Sequence, residues 1–265
     1  MIKKYAICYN PTIENASTIM KKLEKILLGK AVKYTIYSID TPGNDCDFVF
    51  VIGGDGTILK AARYYSNYDI PIFGINLGHL GFLSQAGEQN LNEAVSKILN
   101  NTYRVENRLM LNANSYNALN DFVIKGQYQS RASEFVLEID GKSVCNYFAD
   151  GIIVCTPTGS TAYGMAAGGP VLTPDIDAIA IVPICPHTFA ARPIVVGGDS
   201  KIKIKAPQNE SYTVSADGQE VFPVNGDIEI LKSNKTAKLA LLGENDFYKL
   251  LKNKLHWGIS PERKI

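Results

Sequence analysis

The sequence carries almost no net charge, and it lacks any long apolar run. Its 265 residues hold 27 lysines and arginines against 26 acidic residues, which leaves a net charge of +1. This balance favours neither a nucleic acid nor an anionic membrane, so we expect no partner of either kind. No stretch is long enough to cross a bilayer, and the apolar stretch near the N terminus is too short for a signal peptide.

Cysteine and histidine are too sparse to indicate a disulfide framework or a metal centre. No CxxC pair occurs among the five cysteines, Cys8, Cys46, Cys145, Cys155 and Cys185. We therefore predict reduced thiols in the core of a cytoplasmic protein. No metal-type spacing joins the three histidines, His79, His187 and His256. No Ser–His–Asp arrangement indicates a hydrolase.

The first hundred residues alternate strand-like and helix-like segments. The hydrophobic fraction of 46% predicts a substantial core. Strands are predicted at 5–9, 32–39, 48–52 and 70–75, and helices at 16–28, after Thr57 and at 90–99. Strands separated by helical crossovers predict a parallel sheet with helices on both faces. We therefore expect residues 1–100 to form a Rossmann-like α/β domain.

From about residue 103, short β-type runs replace the helical period. Hairpin-type dipeptides lie between several of them: Asp140-Gly141, Asp217-Gly218 and Asn225-Gly226. Residues 101–243 are therefore predicted to form an antiparallel β-sandwich domain. Residues 244–255 have a helical pattern again, and we expect the tail, 244–265, to return to the first domain.

A glycine loop, Gly53-Gly54-Asp55-Gly56-Thr57, follows the strand at 48–52. A strand, a glycine loop and a helix N terminus commonly bind phosphate, because backbone N–H groups and the helix dipole favour an anion there. Leu59 stands where a dinucleotide fingerprint needs its third glycine, and the Lys-Ser/Thr pair of a P-loop is absent. Two interpretations remain open. The loop is a plain turn with an acid near a helix dipole, or Asp55 accepts the proton of an attacking hydroxyl while magnesium offsets its charge beside a phosphate.

A second polar stretch, 156–163, places Ser160, Thr161 and Tyr163 after a proline and a glycine. These hydroxyls could meet the edge of an adenine, or they could cap a helix that starts near Thr161. Lys60 and Arg131 are candidate phosphate ligands, and the alternative for each is an ordinary solvated surface charge.

Taken in order, these motifs resemble those of the NAD kinases. The glycine loop alone is not specific, because phosphofructokinases and diacylglycerol-type lipid kinases carry similar loops. A series along most of the chain makes the resemblance specific: LGHLGF at 77–82, LND at 119–121, ADG at 149–151, TPTGSTAY at 156–163, GGP at 168–170, CPHT at 185–188, RP at 192–193 and DGQ at 217–219.

The resemblance implies a kinase that phosphorylates the 2′-hydroxyl of the adenosine ribose of NAD, with Asp55 as proton acceptor. It implies ATP, or polyphosphate, as the donor, with Mg²⁺ held mainly by the ATP phosphates and no separate metal site. It also implies a homo-oligomer, a tetramer. Two alternatives remain at this point: another kinase with this loop, acting on a lipid or a sugar, and a non-catalytic dinucleotide sensor.

The same resemblance assigns roles residue by residue. The donor phosphates are assigned to Gly53, Gly54, Gly56, Thr57 and Lys60. NAD is assigned to Asp55, Gly56, Phe82, Asn120, Asp121, Arg131, Asp150, Ser160, Thr161, Ala162, Tyr163, His187 and Gln219. Within that set, Asn120 and Asp121 hold the adenosine ribose, and Asp150 lies at the nicotinamide end. The sequence departs from the family at Asp121, often a glutamate there, and at Phe148, where many members have a basic residue.

Overall fold

The structure, a computed structural model, describes residues 3–78, 81–126, 132–188, 190–205, 211–243 and 247–255. The chain divides into two compact units. The first comprises Met1–Ile58, Ile72–Glu106 and Leu239–Ile265, and the second comprises Leu59–Pro71 and Asn107–Lys238. The domain limits expected from the sequence, 1–100, 101–243 and 244–265, remain predictions.

The strands in chain order are β1 Tyr5–Tyr9, β2 Tyr34–Ser38, β3 Phe48–Ile52, β4 Ile72–Ile75, β5 Ser84–Ala86, β6 Arg104–Ala113, β7 Tyr116–Ala118, β8 Asp121–Gly126, β9 Ser133–Ile139, β10 Lys142–Ala149, β11 Gly151–Cys155, β12 Ala178–Ile184, β13 Ile194–Gly197, β14 Ile202–Lys205, β15 Ser211–Ala216, β16 Glu220–Asn225 and β17 Ile228–Leu241. The helices are α1 Ala16–Gly29, α2 Asp55–Tyr65, α3 Leu91–Leu99, α4 Tyr163–Ala166 and α5 Phe247–Leu255.

The first unit contains a parallel sheet in the order β4-β3-β1-β2, with β5 beside β4. All five residues of β3 are buried, which is typical of a parallel strand covered on both faces. Helix α1 buries Ile19, Leu23 and Leu27, four residues apart, against the same core. The predicted Rossmann-like α/β architecture is confirmed.

The second unit contains two antiparallel sheets, one in the order β10-β9-β14-β17 and one in the order β13-β12-β11-β8-β15-β16. Their inner faces share one core, which includes Phe122, Phe135, Leu137 and Tyr212. Strands β14 and β15 alternate buried and half-buried positions, as expected where one face covers a core. The predicted β-sandwich is confirmed.

Two helices and one cysteine differ from the sequence predictions. Helix α2 begins at Asp55 rather than after Thr57, because an aspartate is favourable in a first helical turn. The helix expected near Thr161 is the four-residue α4, preceded by a 3₁₀ turn at Gly159–Thr161. Cys185 is exposed and not in the core, although all five cysteines are free thiols. None of the helices in the described part of the chain is long and apolar enough to cross a membrane.

Candidate active site

In the first unit, the glycine loop is joined to a second loop through the carboxylate of Asp55. Asp55 is the first residue of α2, is half-buried, and accepts hydrogen bonds from the backbone N–H groups of Phe82 (3.0 Å) and Leu83 (3.3 Å). A Cβ at Gly81 would overlap this carboxylate, with Cγ only 2.6 Å away. Only a glycine at position 81 therefore lets the backbone of residues 81–83 approach Asp55 this closely.

The loop itself is shaped from below by Thr57. The buried side chain of Thr57 lies where a Cβ at Gly53 would sit, with Cγ2 2.8 Å from it. The N–H of Gly53 bonds to the carbonyl of Ile75 at 3.0 Å, at the end of the neighbouring strand. A Cβ at Gly54 would meet nothing within 4 Å, and Gly56 is exposed. The backbone at these two glycines can therefore be approached closely, as a phosphate requires. Lys60, one turn further along α2, is half-buried.

In the second unit, three strands end at one edge of a sheet and bring predicted residues together. Strand β11 ends at Cys155, opposite Asp121, where the antiparallel β8 begins. Strand β15 ends beside β8, with Ala216 opposite Phe122. The segments that leave this edge are therefore neighbours: 119–121, 156–163 and 217–219.

Backbone bonds hold the Thr156 segment against the 119–121 segment. The N–H of Thr156 donates to the carbonyl of Asn120 at 2.9 Å, and its hydroxyl donates to the carbonyl of Leu119 at 2.6 Å. A Cβ at Gly159 would lie 2.6 Å from Cα of Asn120, so only glycine fits there without a shift. The half-buried Asn120 is thus packed against the Thr156 segment.

The hydroxyls in 160–163 have different surroundings. Ser160 is fully buried, donates to the carbonyl of Pro157 at 2.7 Å and accepts the N–H of Leu172 at 2.9 Å. Its hydroxyl therefore holds the turn together from within. Thr161 and Ala162 are half-buried, and the Thr161 hydroxyl donates to the carbonyl of Thr158 at 3.2 Å. Tyr163 is 40% exposed and is the aromatic surface of this stretch.

Asp121 is a buried carboxyl group, only 4% exposed. Burial, and after it the neighbouring charge of Asp217, together raise the pKa of Asp121 to about 7. Burial, followed by the charge of Asp121, also raises the pKa of the Cys155 thiol to about 12. Asp121 is thus a poor candidate for a permanently charged ligand of a ribose, and it titrates near neutral pH.

Asp150 and His187 lie at the opposite end of β11 from Thr156. Asp150 is exposed and donates its N–H to the carbonyl of Ile184 at 3.0 Å, and the exposed His187 packs edge-on against Phe148 at 5.1 Å between ring centroids. The five residues of β11 span about 17 Å. Within one chain, the structure therefore separates these two residues from Thr161 and Tyr163.

Sequence reasoning missed the side chain that joins the 119–121 and 217–219 segments. Arg63 on α2 donates from Nη1 to Asp217 at 2.8 Å and from Nη2 to the amide oxygen of Gln219 at 2.8 Å. Asp217 appeared in the sequence only as a hairpin residue and as part of the DGQ motif, and no local pattern indicates Arg63 as its partner. The predicted ligand Arg131 lies outside the described residues, as do His79 and His256.

Within the described ranges, no group of three or more His, Cys, Asp or Glu side chains could hold a metal ion.

The predicted phosphate and ribose residues form two clusters, one in each unit. The first cluster is the glycine loop with residues 81–83, and the second is 119–121 with 156–163 and 217–219.

Two family models match most of the chain: the ATP-NAD kinase N-terminal domain at residues 10–103 and the ATP-NAD kinase C-terminal domain at residues 119–242. An NAD kinase of Pseudomonas putida (strain GB-1) is 44% identical over 229 residues, which cover 82% of this chain and 77% of that protein.

Solved structures agree. An NAD kinase from Archaeoglobus fulgidus, in complex with ATP, is 29% identical with a TM-score of 0.81, covering 96% of this chain and 98% of its own. Yeast NADH kinase, complexed with NADH, has a TM-score of 0.89 at 23% identity, over 100% of this chain and 90% of its own, and this likeness concerns the fold alone. These matches give no support to a lipid or sugar kinase or to a non-catalytic sensor.

Proposed function

Because the chain belongs to the ATP-NAD kinase family and is an NAD kinase, we propose that it transfers the terminal phosphate of ATP to the 2′-hydroxyl of the adenosine ribose of NAD. In this reaction the ribose oxygen forms a bond to the γ-phosphorus, the bond from that phosphorus to the β–γ bridging oxygen breaks, and ADP leaves. The hydroxyl proton passes to the carboxylate of Asp55, and the product is NADP.

The observation that carries this proposal is the position of Asp55. Its carboxylate is half-buried at the first residue of α2, and two backbone N–H groups fix its direction. A fixed carboxylate beside a glycine loop suits a reaction in which the protein mainly positions groups and accepts one proton.

We assign the donor phosphates to the backbone at Gly53, Gly54 and Gly56, with Thr57 shaping the loop and Lys60 as a cation one turn away. The backbone N–H groups and the lysine of this donor set would hold phosphate oxygens, and the magnesium ion that the resemblance implies would come with the phosphates of ATP. Magnesium held by those phosphates would offset the charge that otherwise repels Asp55.

On the NAD side, we assign the adenosine group to Asn120, Thr161, Ala162 and Tyr163, with Phe82 as a further apolar contact. Asp121 and Gln219 hold the residues around the adenosine group in place and do not bind it as charged ligands. Asp121 is buried, and Gln219 accepts a hydrogen bond from Arg63. Asp150 and His187 serve another part of the dinucleotide, the nicotinamide end, because about 17 Å of strand separates them from Thr161 in the same chain.

The resemblance to the family adds two further proposals, a homotetramer and a cytoplasmic location. Sedimentation of the purified chain tests the first of these.

The function is tested by incubating the protein with NAD, ATP and magnesium and coupling the product to an NADP-specific dehydrogenase. We expect NADP to form with ATP and not without a donor. Absence of NADP, or phosphorylation of a lipid or a sugar instead, would overturn the proposal. Replacing ATP with polyphosphate in the same assay identifies the donor.

A further inference from the structure

A buried carboxylate organises the segment that we assign to the adenosine group. The side chain of Asp217 is fully buried. It accepts hydrogen bonds from three consecutive backbone N–H groups, those of Leu119 (3.1 Å), Asn120 (2.7 Å) and Asp121 (3.2 Å). Its own N–H donates to the carbonyl of Asp121 at 2.9 Å. Asp217 thus fixes the path of residues 119–121.

The turn that carries Asp217 is itself tightly specified. Asp217 and Gly218 both have positive φ, 51° and 65°, a region that aspartate and glycine tolerate better than most residues, and the N–H of Gln219 bonds to the carbonyl of Ala216 at 3.0 Å. The turn joins β15 to β16, which directly pair up to Ala216 and Glu220. The carboxylate therefore projects from a rigid turn, and a displacement of the carboxylate would displace the backbone of residues 119–121.

A buried carboxylate needs a partner of opposite charge, because burial of an unpaired charge is strongly unfavourable. Arg63 provides it, with a side chain that is only 10% exposed. Its planar guanidinium bonds to Asp217 and to Gln219 at once, so it fixes the direction of the carboxylate as well as neutralising it. A second carboxyl group, that of Asp121, lies close to Asp217 and makes this neutralisation more necessary.

Asn120 is therefore held on both sides of its peptide chain. Its N–H bonds to Asp217, and its carbonyl accepts the N–H of Thr156. We propose that Arg63 is a positioning residue for NAD, which acts through Asp217 to hold Asn120 and its neighbours in the geometry that binds the adenosine group. This inference rests on the proposed function in taking NAD as the ligand.

The inference is tested with Arg63→Met, which removes the charge, and Arg63→Lys, which keeps the charge and loses the planar fork. Lys238→Met is the matched control, because Lys238 forms an ion pair with Asp69 on the surface and lies outside the assigned site. NAD binding is measured by calorimetry, and kcat and both KM values are measured in the coupled assay.

We expect Arg63→Met to raise the Kd and the KM for NAD about tenfold or more, since a displacement of about 1 Å in a positioned group can cost up to about a hundredfold. For Arg63→Met, the KM for ATP and the kcat at saturating NAD stay within about threefold of wild type. The Kd for NAD of Arg63→Lys lies between those of wild type and Arg63→Met. Lys238→Met matches wild type.

An unchanged Kd for NAD in a folded variant would overturn the inference. A lower kcat and a higher KM for both substrates, changed by similar factors and with a lowered melting temperature, would also overturn it. That pattern indicates general destabilisation. If Arg63→Met does not fold, Arg63→Lys decides alone, and a wild-type Kd in that variant refutes the proposal. The calorimetric Kd does not depend on turnover. A wild-type protein that binds NAD but forms no NADP would therefore contradict the proposed function and leave this inference standing on its own measurement.

Discussion

Replacement of Asp55 by asparagine separates two tasks that this carboxylate performs. As a carboxylate it accepts hydrogen bonds from both Phe82 and Leu83. An asparagine side chain has one acceptor oxygen, and its amide group would point a donor at the other N–H. A hydrogen bond to a charged group contributes about 1.5–3 kcal/mol, so we expect the free energy of unfolding to fall by about that amount.

The second task is proton acceptance, and it predicts a larger effect on turnover. General-base assistance contributes about 10²–10⁴-fold, so kcat of Asp55→Asn should fall at least about a hundredfold, which is about 2.7 kcal/mol in the barrier. Ser84→Ala is the control for the loop, because the Ser84 hydroxyl accepts the N–H of Gly81 at 2.7 Å and leaves the carboxylate in place. We expect Ser84→Ala to lower stability but to keep most of the turnover.

The assay is kcat under saturating NAD and magnesium-ATP, with urea unfolding of both variants. If Asp55→Asn keeps more than about a tenth of wild-type turnover, Asp55 is not the general base. If Ser84→Ala loses as much turnover as Asp55→Asn, the loss reflects the position of residues 81–83, and the assignment of proton acceptance to Asp55 fails.

Three further predictions concern the second cluster. Tyr163→Ala should weaken NAD binding by about 1–3 kcal/mol, measured by calorimetry, and an unchanged affinity would remove this ring from the site. Gly159→Ala should lower the free energy of unfolding by about 1–3 kcal/mol, because the added Cβ would overlap the backbone of Asn120. Gly29→Ala is the control and should not lower it, because a Cβ there meets nothing within 4 Å. Asp121 faces Asp217, Cys155 and the Arg63–Asp217 pair, and its pKa of about 7 in the folded protein lies above the ordinary 3.8 of an aspartate, so the free energy of unfolding falls as pH rises from about 4 to about 7. Relative to wild type, Asp121→Asn should therefore gain about 2–3 kcal/mol of stability between pH 5 and pH 8 in urea unfolding, and a pH-independent difference would refute the raised pKa.

The sequence predicts the fold well where local patterns determine it. The fully apolar run of β3 and the four-residue spacing in α1 correspond to a parallel strand and an amphipathic helix. Strands β8 and β12 are harder to predict, because β8 begins and ends with charged or small residues, β12 lacks alternation, and each pairs with β11 more than 20 residues away in the chain. The role of Ser160 was also beyond the sequence, since a buried hydroxyl and an exposed one have the same local pattern.

The two clusters use the same device, a carboxylate that holds the backbone of a distant loop. Asp55 binds N–H groups 27 and 28 positions later, and Asp217 binds N–H groups 96–98 positions earlier. Backbone donors are present at nearly every residue, so no residue type in the sequence marks which of them a carboxylate will find. Motifs thus indicated which acids matter, while only the fold indicates what each acid holds. This is why Arg63, whose partner lies 154 positions away, gave no signal in the sequence and becomes a site residue only through Asp217.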